Sequence, residues 1–462
     1  MTQAHRLHAA HALLPQGWAD DVLLAWNNAG DFTCVQAGAP CPAGAARAAG
    51  PVLPGMPNLH SHAFQRAFGG LTEYRGQVQD SFWSWRTLMY RFAAQITPEL
   101  LETIATWLYA EMLEAGYTAV CEFHYVHHDR DGKPYADRVE LSRALLRAAE
   151  STGIGLTLLP VLYQTGGFGG QQAGEGQRRF LNDTRDMLDM LAALRPLCAA
   201  QGARLGLAPH SLRAVPPEAL AAAVAGLHAQ DATAPVHIHI AEQTAEVDAC
   251  LAWSGRRPVR WLLEHLPVDA RWCLIHATHM TTDEYRDAAR SGAVAGLCPT
   301  TEANLGDGIF DLPAWQAAGG AWGLGSDSHA TVNAAEELLM LEYSQRLALR
   351  QRNVAVSAEH PDVATHMMLA AVRGGAQASG RKIAGLSAGQ RADFIVLDAE
   401  HPALRGLPAS VMLSGHVFAS HRTSAVDRVV CGGVERIARG RHGLHEQAAA
   451  AFADARAKVM RA

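Results

Sequence analysis

Short apolar runs recur along the middle of this chain, and segments with the composition of helices separate them. Runs of roughly four to eight apolar residues are typical of buried strands. The strands predicted in this way lie at 118–123, 155–162, 204–208, 236–241, 272–276, 292–297 and 322–326. A helix is predicted to begin at Thr97, followed by a proline in its first turn, and alanine-rich stretches such as 218–227 are predicted to be outer helices. Such alternation is typical of an α/β fold with a parallel (β/α)8 barrel.

The two ends of the chain show a different pattern. Turns and short strands alternate within 21–35, 385–398 and 426–433, which is typical of antiparallel pairing. These strands are expected to form one small β-domain that flanks the barrel. The predicted domains are 1–54 and 385–445 for the two parts of the β-domain, 55–384 for the barrel and 446–462 for a C-terminal helix. The glycine-rich loop 166–176 follows a strand, so we expect it on the active-site face.

His60 and His62 are the first candidates for chemistry. If a strand ends at this pair, both imidazoles lie on one face, because side chains alternate across a strand. Two adjacent imidazoles can bind one divalent metal ion. Among the 23 histidines of this chain, however, a His-x-His pair can occur by chance. The interpretation as a metal site therefore requires further ligands at the ends of other strands.

Polar residues do follow the ends of three further apolar runs. They are His239, with Glu242 three residues later, His276 and Asp327. Polar groups at the C-terminal ends of successive parallel strands are the expected layout of a (β/α)8-barrel active site. Three imidazoles and a carboxylate suit zinc or a similar divalent ion. The predicted metal ligands are His60, His62, His239 and Asp327, and the alternative is that they are core residues without a metal.

Glu242 and His276 are predicted to be catalytic together with Asp327. A metal ion held by the four ligands lowers the pKa of bound water, but the reaction also needs a group that moves protons. Glu242 lies just past a strand end, where it can deliver a proton to a leaving nitrogen. The alternative for Glu242 is a solvated carboxylate at a helix start. His276, one strand further on, could polarise the substrate.

Lysine is scarce in this chain. It occurs only at positions 133, 382 and 458. Binuclear sites of this general kind often bridge two metal ions with a carboxylated lysine on a middle strand. Because none of the three lysines lies on a predicted barrel strand, we predict one metal ion.

Composition excludes several classes of function. With 462 residues and a net charge of −6, the chain fits one large catalytic domain with a smaller one, and nothing indicates nucleic-acid binding. No run of about 18 apolar residues predicts a membrane span, and the first residues lack a secretion signal. The eight cysteines include no Cys-x-x-Cys pair, so we expect reduced thiols and a cytoplasmic location.

The whole chain resembles the amidohydrolase superfamily, in its one-metal aminohydrolase branch. The runs that carry this resemblance are 59–62, 239–242 and 325–329, together with His276. The chain is more closely similar to the N-formimino-L-glutamate deiminase family of histidine degradation. The runs that match this family are 56–66, 209–213 and 298–308.

The resemblance implies a substrate, a cofactor and a set of binding residues. It implies hydrolysis of N-formimino-L-glutamate to N-formyl-L-glutamate and ammonia, and one zinc ion (with iron as another candidate metal). A homodimer is expected as well, although the sequence itself does not give the oligomeric state. Because the substrate is a dicarboxylate, its pocket needs cations. Arg86 and Arg213 are the candidates, since a planar guanidinium binds a carboxylate through two hydrogen bonds. Gln65, Tyr125 and His210 are implied to complete the polar lining.

Two other interpretations stay open at this point. The same hydrolytic chemistry could act on another amidine, a guanidino compound or a nucleobase, although a nucleobase has no carboxylate for paired arginines. A protein that kept the barrel and lost the chemistry would be a scaffold. The complete set of ligands, with Glu242 and His276, argues against a scaffold.

Overall fold

The computed structural model describes residues 5–74, 82–420 and 423–461, so the outer limits of the predicted domains, at 1 and 462, lie outside the described residues. The first strands belong to a terminal sheet. They are β1 (His5–Leu14), β2 (Gly17–Trp26), β3 (Phe32–Gln36), β4 (Ala46–Arg47) and β5 (Val52–Pro54). The sequence pattern indicated β2 and β3 but not β1, because buried and exposed positions do not alternate strictly along β1.

The barrel strands follow, and each pairs in parallel with its neighbours. They are β6 (Met56–Ser61), β7 (Tyr117–His124), β8 (Gly155–Leu162), β9 (Arg204–Leu205), β10 (Ala208–Pro209), β11 (Val236–Ile240), β12 (Trp272–His276), β13 (Val294–Leu297) and β14 (Ala321–Leu324). Their order in the sheet is β10-β8-β7-β6-β14-β13-β12-β11, with β9 beside β8. Parallel bridges from Leu207 to Val236 and from Ser211 to His239 close the sheet. The prediction of a (β/α)8 barrel is therefore confirmed.

One barrel strand is interrupted where a single strand, 204–208, was predicted. The backbone N–H of Gly206 donates to the Leu158 carbonyl at 3.0 Å, whereas that of Leu207 donates to the Pro235 carbonyl at 3.1 Å. Successive N–H groups thus point to the two neighbouring strands, as in any inner strand of a parallel sheet, and pairing with β8 resumes at Ala208. A Cβ atom on Gly206 would lie 2.5 Å from the Pro235 carbonyl oxygen, so only glycine fits this approach.

Helices connect the barrel strands. They are α1 (Phe82–Ala93), α2 (Pro98–Glu114), α3 (Glu140–Thr152), α4 (Thr184–Ala200), α5 (Pro217–Gln230), α6 (Thr244–Ser254), α7 (Pro258–His265), α8 (Thr282–Ser291), α9 (Pro299–Leu305), α10 (Leu312–Ala317), α11 (Ala334–Leu349) and α12 (Val363–Ser379). Short 3-10 helices occur at Ala63–Phe68 and Glu175–Gln177. The Thr97 side chain caps α2 by accepting the Leu100 N–H at 3.3 Å, which explains why this helix begins where the sequence indicated.

The C-terminal segment completes the terminal sheet. Its elements are β15 (Phe394–Leu397), α13 (Ala409–Ala419), β16 (Val426–Cys431), β17 (Val434–Ala438), β18 (Arg441–His442) and α14 (His445–Arg461). The sheet has the order β18-β17-β16-β15-β5-β1-β2-β3, so the two chain ends meet where β15 pairs with β5. None of the described helices is long and apolar enough to span a membrane.

The barrel strands are buried along almost their whole length. Every residue of β7, β8, β11 and β12 is buried. Parallel strands covered by helices have apolar contacts on both faces, which is why their sequences are continuous apolar runs without alternation. Polar side chains that interrupt such runs near their C-terminal ends are therefore costly to bury, and they mark the candidate site.

Candidate active site

The four predicted metal ligands converge at the C-terminal mouth of the barrel. His60 lies in β6 with His62 just beyond it, His239 lies in β11, and Asp327 follows β14. All four side chains are buried, and their donor atoms lie within 4.8 Å of one another. The Nε2 atoms of His60 and His239 are 3.0 Å apart. The Asp327 Oδ1 atom lies 3.4 Å from the His60 Nε2 atom and 3.3 Å from the His62 Nε2 atom.

Hydrogen bonds on the outer side of two rings direct their free nitrogens inward. The Nδ1–H of His62 donates to the Phe123 carbonyl at 2.9 Å, and that of His239 donates to the His210 carbonyl at 3.1 Å. Their Nε2 atoms are therefore acceptors. Burial lowers the pKa of His60 to about 3 and the pKa of His239 well below its usual value, so both rings are neutral. Neutral imidazoles and a carboxylate around one point fit a divalent ion such as zinc.

The backbone is strained at the ends of the strands that carry this site. Ala241, His276 and Asp327 have φ values of 50°, 65° and 45°, in the left-handed region that non-glycine residues seldom adopt. Each follows or ends a barrel strand. Strain of this kind persists only where surrounding contacts hold it, and it concentrates at functional sites.

Glu242 and His276 lie beside the four donors. The His276 Nε2 atom is 3.7 Å from the Glu242 Oε1 atom and 3.7 Å from the Asp327 Oδ2 atom. Burial raises the pKa of Glu242 to about 7, so this carboxyl group can both accept and donate a proton near neutral pH. Burial acts to lower the pKa of His276, but Glu242, Glu302 and Asp327 together raise it to about 10. The His276 imidazole is therefore cationic and serves as a hydrogen-bond donor.

The five predicted substrate-binding residues line one cavity with the site. This cavity has a volume of about 50 Å³, and its wall includes Gln65, Arg86, Tyr125, His210 and Arg213. The Gln65 Nε2–H donates to the Tyr125 hydroxyl at 2.8 Å. Burial and the neighbouring Arg213 lower the pKa of Arg86, because the two guanidinium groups repel each other across this space.

The chain matches the model of the amidohydrolase family over residues 52–436, a span that contains all four donors, Glu242 and His276. The chain belongs to the amidohydrolase family. It is 52% identical over 447 residues to formimidoylglutamate deiminase of Pseudomonas aeruginosa, covering 96% of this chain and 97% of that protein. It is 29% identical over 405 residues to 8-oxoguanine deaminase of the same organism, covering 84% of this chain and 82% of that protein.

A solved structure is similar over the whole fold. The crystal structure of an amidohydrolase from Brucella melitensis has a TM-score of 0.93 and 47% sequence identity, covering 99% of this chain and 100% of that one. The resemblance predicted from the motifs, to amidohydrolases and more closely to the formimino-glutamate deiminases, is confirmed.

Glu302 is a site residue of this amidohydrolase to which the sequence assigned no role. Its Oε1 atom lies 3.2 Å from His276 Nδ1 and accepts the Cys298 N–H at 2.9 Å. With its Nδ1–H held there, His276 presents Nε2–H to Glu242 and Asp327. The run 298–308 contains Glu302, but Glu302 lies in α9 and not at a strand end. The potential metal-donor atoms of His276, Cys298 and Glu302 also lie within 4.8 Å of one another. The hydrogen bonds that Glu302 accepts explain this short spacing without a second metal ion.

The outer wall of the cavity was also not predicted. Its remaining members come mainly from α1 and from loops, and they are Trp85, Met89, Tyr90, Tyr163, Phe180 and Leu305. The cavity of about 50 Å³ is far smaller than the roughly 300–1,000 Å³ of typical ligand pockets. A groove of about 670 Å³ lies beside it and shares Trp85, but no predicted site residue lines that groove.

Metal content is the first testable property of this amidohydrolase. We expect about one divalent ion per chain, and we expect His239→Ala to lose most of it because three donors remain. Elemental analysis of the purified proteins measures the stoichiometry. The control is His237→Ala, two residues earlier in the same strand, because the His237 Nε2 atom is 2.8 Å from the Ala378 carbonyl and not among the donors. Two ions per chain that are both needed for activity, or full metal content in His239→Ala, would contradict the assignment.

Glu337 links α11 to the helix that carries Glu302. Its carboxylate accepts the Thr300 N–H at 3.0 Å and the Thr300 hydroxyl at 2.6 Å. Burial raises the pKa of Glu337 from 4.5 to about 8. Folding therefore takes up a proton between these pH values, and the stability that Glu337 contributes falls as pH rises from 4.5 through 8.

Glu337→Gln is expected to remove this pH dependence. Between about pH 5 and about pH 8.5 the Tm of the wild type should fall relative to that of the variant. The reason is that Glu337 ionises in the folded wild type near the upper end of this range, whereas glutamine does not ionise. Thermal unfolding at both pH values measures the shift. A difference that stays constant across this range would show that Glu337 does not titrate as described.

Proposed function

We propose that this amidohydrolase is a formimidoylglutamate deiminase, which hydrolyses N-formimino-L-glutamate to N-formyl-L-glutamate and ammonia. The observation that carries the proposal is one cavity whose lining includes Glu242, His276 and three of the four metal-site residues together with two arginines, Arg86 and Arg213. A substrate with an amidine at one end and two carboxylates at the other needs that combination. The relative that is 52% identical over nearly the whole chain supports the same function.

The cationic residues determine how the substrate lies. Arg213 is buried, Arg86 is half-buried, and each can bind one carboxylate through paired N–H groups. His210 and the hydrogen-bonded pair of Gln65 and Tyr125 add polar contacts between these arginines and the metal site. Gripping both carboxylates places the amidine carbon over Glu242 and fixes its orientation before reaction.

The proposed cofactor is one zinc ion, held by His60, His62, His239 and Asp327, with iron as the other candidate. A divalent ion in this place supplies a nucleophile at neutral pH by lowering the pKa of a bound water molecule. The donor set supports this choice, because neutral imidazoles and one carboxylate suit a borderline ion.

Glu242 is assigned the proton transfers. As a carboxylate it accepts a proton from the attacking water, and as the acid it returns that proton to the leaving nitrogen. The second proton of the same water then follows through the same carboxyl group, so that the nitrogen leaves as ammonia. The C–N bond to that nitrogen breaks, ammonia leaves, and the oxygen from water stays on the formyl carbon. Cationic His276, held by Glu302, donates a hydrogen bond from Nε2 and stabilises negative charge that develops on oxygen.

A nucleobase substrate is the main competing proposal. The 29% identical 8-oxoguanine deaminase shows that such chemistry occurs among the relatives. A neutral base offers no carboxylate to Arg86 and Arg213, which line the same cavity. We therefore place nucleobase deamination second.

The proposal also includes the cellular location and the oligomeric state of the enzyme. All eight cysteines are free thiols, which supports a cytoplasmic location. A homodimer remains a prediction, and the partner of the active site is the small-molecule dicarboxylate substrate.

Ammonia release from a substrate panel tests this function. We expect rapid release from N-formimino-L-glutamate and little from guanidino compounds, guanine or 8-oxoguanine under the same conditions. Faster release from a nucleobase would replace the proposal with the competing one. Failure to release ammonia from any member of the panel, with metal bound, would leave the scaffold interpretation.

A further inference from the structure

A second cationic cavity lies at the opposite end of the barrel from the active site. It has a volume of about 200 Å³ and is lined by Arg381, Arg391 and Arg436. Its other walls are the start of β8 and the residues just before β9, which are the N-terminal ends of barrel strands. Arg391 precedes β15 and Arg436 lies in β17, so the cavity lies where the barrel meets the terminal sheet. None of its residues takes part in the proposed reaction.

Arg381 is fixed in the floor of this cavity. Its Nη1 group donates to the Leu156 carbonyl at 2.9 Å and to the Gly202 carbonyl at 3.1 Å. Its Nε atom is buried and has no hydrogen-bond partner among the described residues. Burial and the neighbouring Arg391 lower its pKa. A fixed cation with a like charge beside it is stabilised by an anion.

Arg436 reaches the same cavity from the terminal sheet, and it too has a buried Nε atom. Its guanidinium packs on the backbone of the barrel, because a Cβ atom on Gly153 would lie 2.3 Å from the Arg436 Cζ atom. The Arg436 Nε atom is also buried without a hydrogen-bond partner in the described parts of the chain. Arg391 forms an ion pair with Asp393 at 3.1 Å, whereas the ion pairs among described residues include neither Arg381 nor Arg436. Arg381 and Arg436 therefore line the cavity without forming an ion pair among the described residues, and Asp393, whose charge raises the pKa of Arg381, is paired with Arg391.

We propose that this cavity binds a phosphate group, either as inorganic phosphate or as the phosphate ester of a small metabolite. A phosphate dianion matches the two unpaired charges, and guanidinium groups present paired N–H donors to phosphate oxygens. Glu150 also lines the cavity, but it is exposed at the rim and accepts a hydrogen bond from the Gln201 side chain at 3.2 Å. Its negative charge therefore does not cancel the positive charge of the arginines in the interior. A ligand that bridges barrel and sheet stabilises the folded chain.

Titration of the full-length protein with inorganic phosphate, followed by calorimetry at constant ionic strength, tests the proposal. We expect one saturable site in the wild type and affinity at least about tenfold weaker in Arg436→Met, because a charge-assisted hydrogen bond is lost. Phosphate should raise the Tm of the wild type and not that of the variant. Arg381→Met provides a second variant that should give the same losses.

The matched control is Arg428→Met. Arg428 lies on the adjacent strand β16, pairs with Glu435 at 2.9 Å and does not line the cavity, so this variant should bind phosphate like the wild type. Repeating the titration with glycerol phosphate distinguishes an ester from free phosphate, and saturable binding of either supports the site. Three outcomes would overturn it: no saturable binding of either ligand, unchanged binding in both cavity variants, or binding that is lost in Arg213→Met, which would place the anion in the active site.

Discussion

Glu242→Gln is expected to lower kcat by roughly 10²–10⁴-fold while the protein keeps its metal ion. The glutamine amide has nearly the same size and can accept a hydrogen bond, but it cannot take a proton from water and return it to the leaving nitrogen. Burial raises the pKa of Glu242 to about 7, where the wild-type carboxyl group can do both. Steady-state kinetics with N-formimino-L-glutamate, together with elemental analysis, measure the two parts of this prediction.

The control for this variant is Glu246→Gln. Glu246 is also buried and lies one helical turn further on, where its Oε2 atom accepts the Glu242 N–H at 3.1 Å. A glutamine oxygen can accept the same hydrogen bond, so we expect kcat to fall by no more than about tenfold. If Glu242→Gln kept a kcat near that of the wild type, His276 would be the next candidate for the proton transfers.

Arg213→Met and Arg86→Met are each expected to lower kcat/KM for N-formimino-L-glutamate by roughly 10- to 150-fold. That range corresponds to the loss of one charge-assisted hydrogen-bonded contact. Methionine keeps much of the side-chain volume, so the change removes mainly the charge and the donors. Since Arg213 is buried and Arg86 is half-buried, we expect the larger loss from Arg213→Met.

Substrate analogues that lack one carboxylate separate recognition from folding. Each variant should lose much less on the analogue without the carboxylate that its arginine binds. Arg178→Met serves as a control, because Arg178 is half-buried, pairs with Glu175 at 2.8 Å and lies outside the cavity. Equal losses on all substrates would mean that the arginines support the fold. Full activity in both variants would remove the best physical argument for a dicarboxylate substrate.

The sequence predicts those parts of the molecule whose structure is determined by neighbouring residues in the chain. Buried parallel strands have to be apolar, so a polar residue at a strand end, such as His239, His276 or Asp327, stands out in the sequence. The cap at Thr97 similarly marks the start of α2. Because parallel strands all end at one face of the barrel, these local patterns were enough to place the donors together before any distance was known.

The parts that could not be predicted depend on contacts between distant segments. Glu302 contacts His276 from a helix, and no local pattern distinguishes it from a solvated glutamate. Tyr163 and Phe180 reach the cavity from a loop whose path the sequence does not determine. At Gly206 the carbonyl of Pro235, 29 residues later, approaches the backbone closely, and no local pattern predicts this contact. Such features follow from the closed barrel and not from any one segment.

Product analysis in heavy-oxygen water tests the central claim most directly. The metal-loaded enzyme is incubated with N-formimino-L-glutamate, and ammonia, N-formyl-L-glutamate, formamide and L-glutamate are quantified by mass spectrometry. The account predicts equal amounts of ammonia and N-formyl-L-glutamate, with the heavy oxygen in the formyl group, and loss of both products in Glu242→Gln. Formation of formamide and L-glutamate, or N-formyl-L-glutamate without the heavy oxygen, would contradict it.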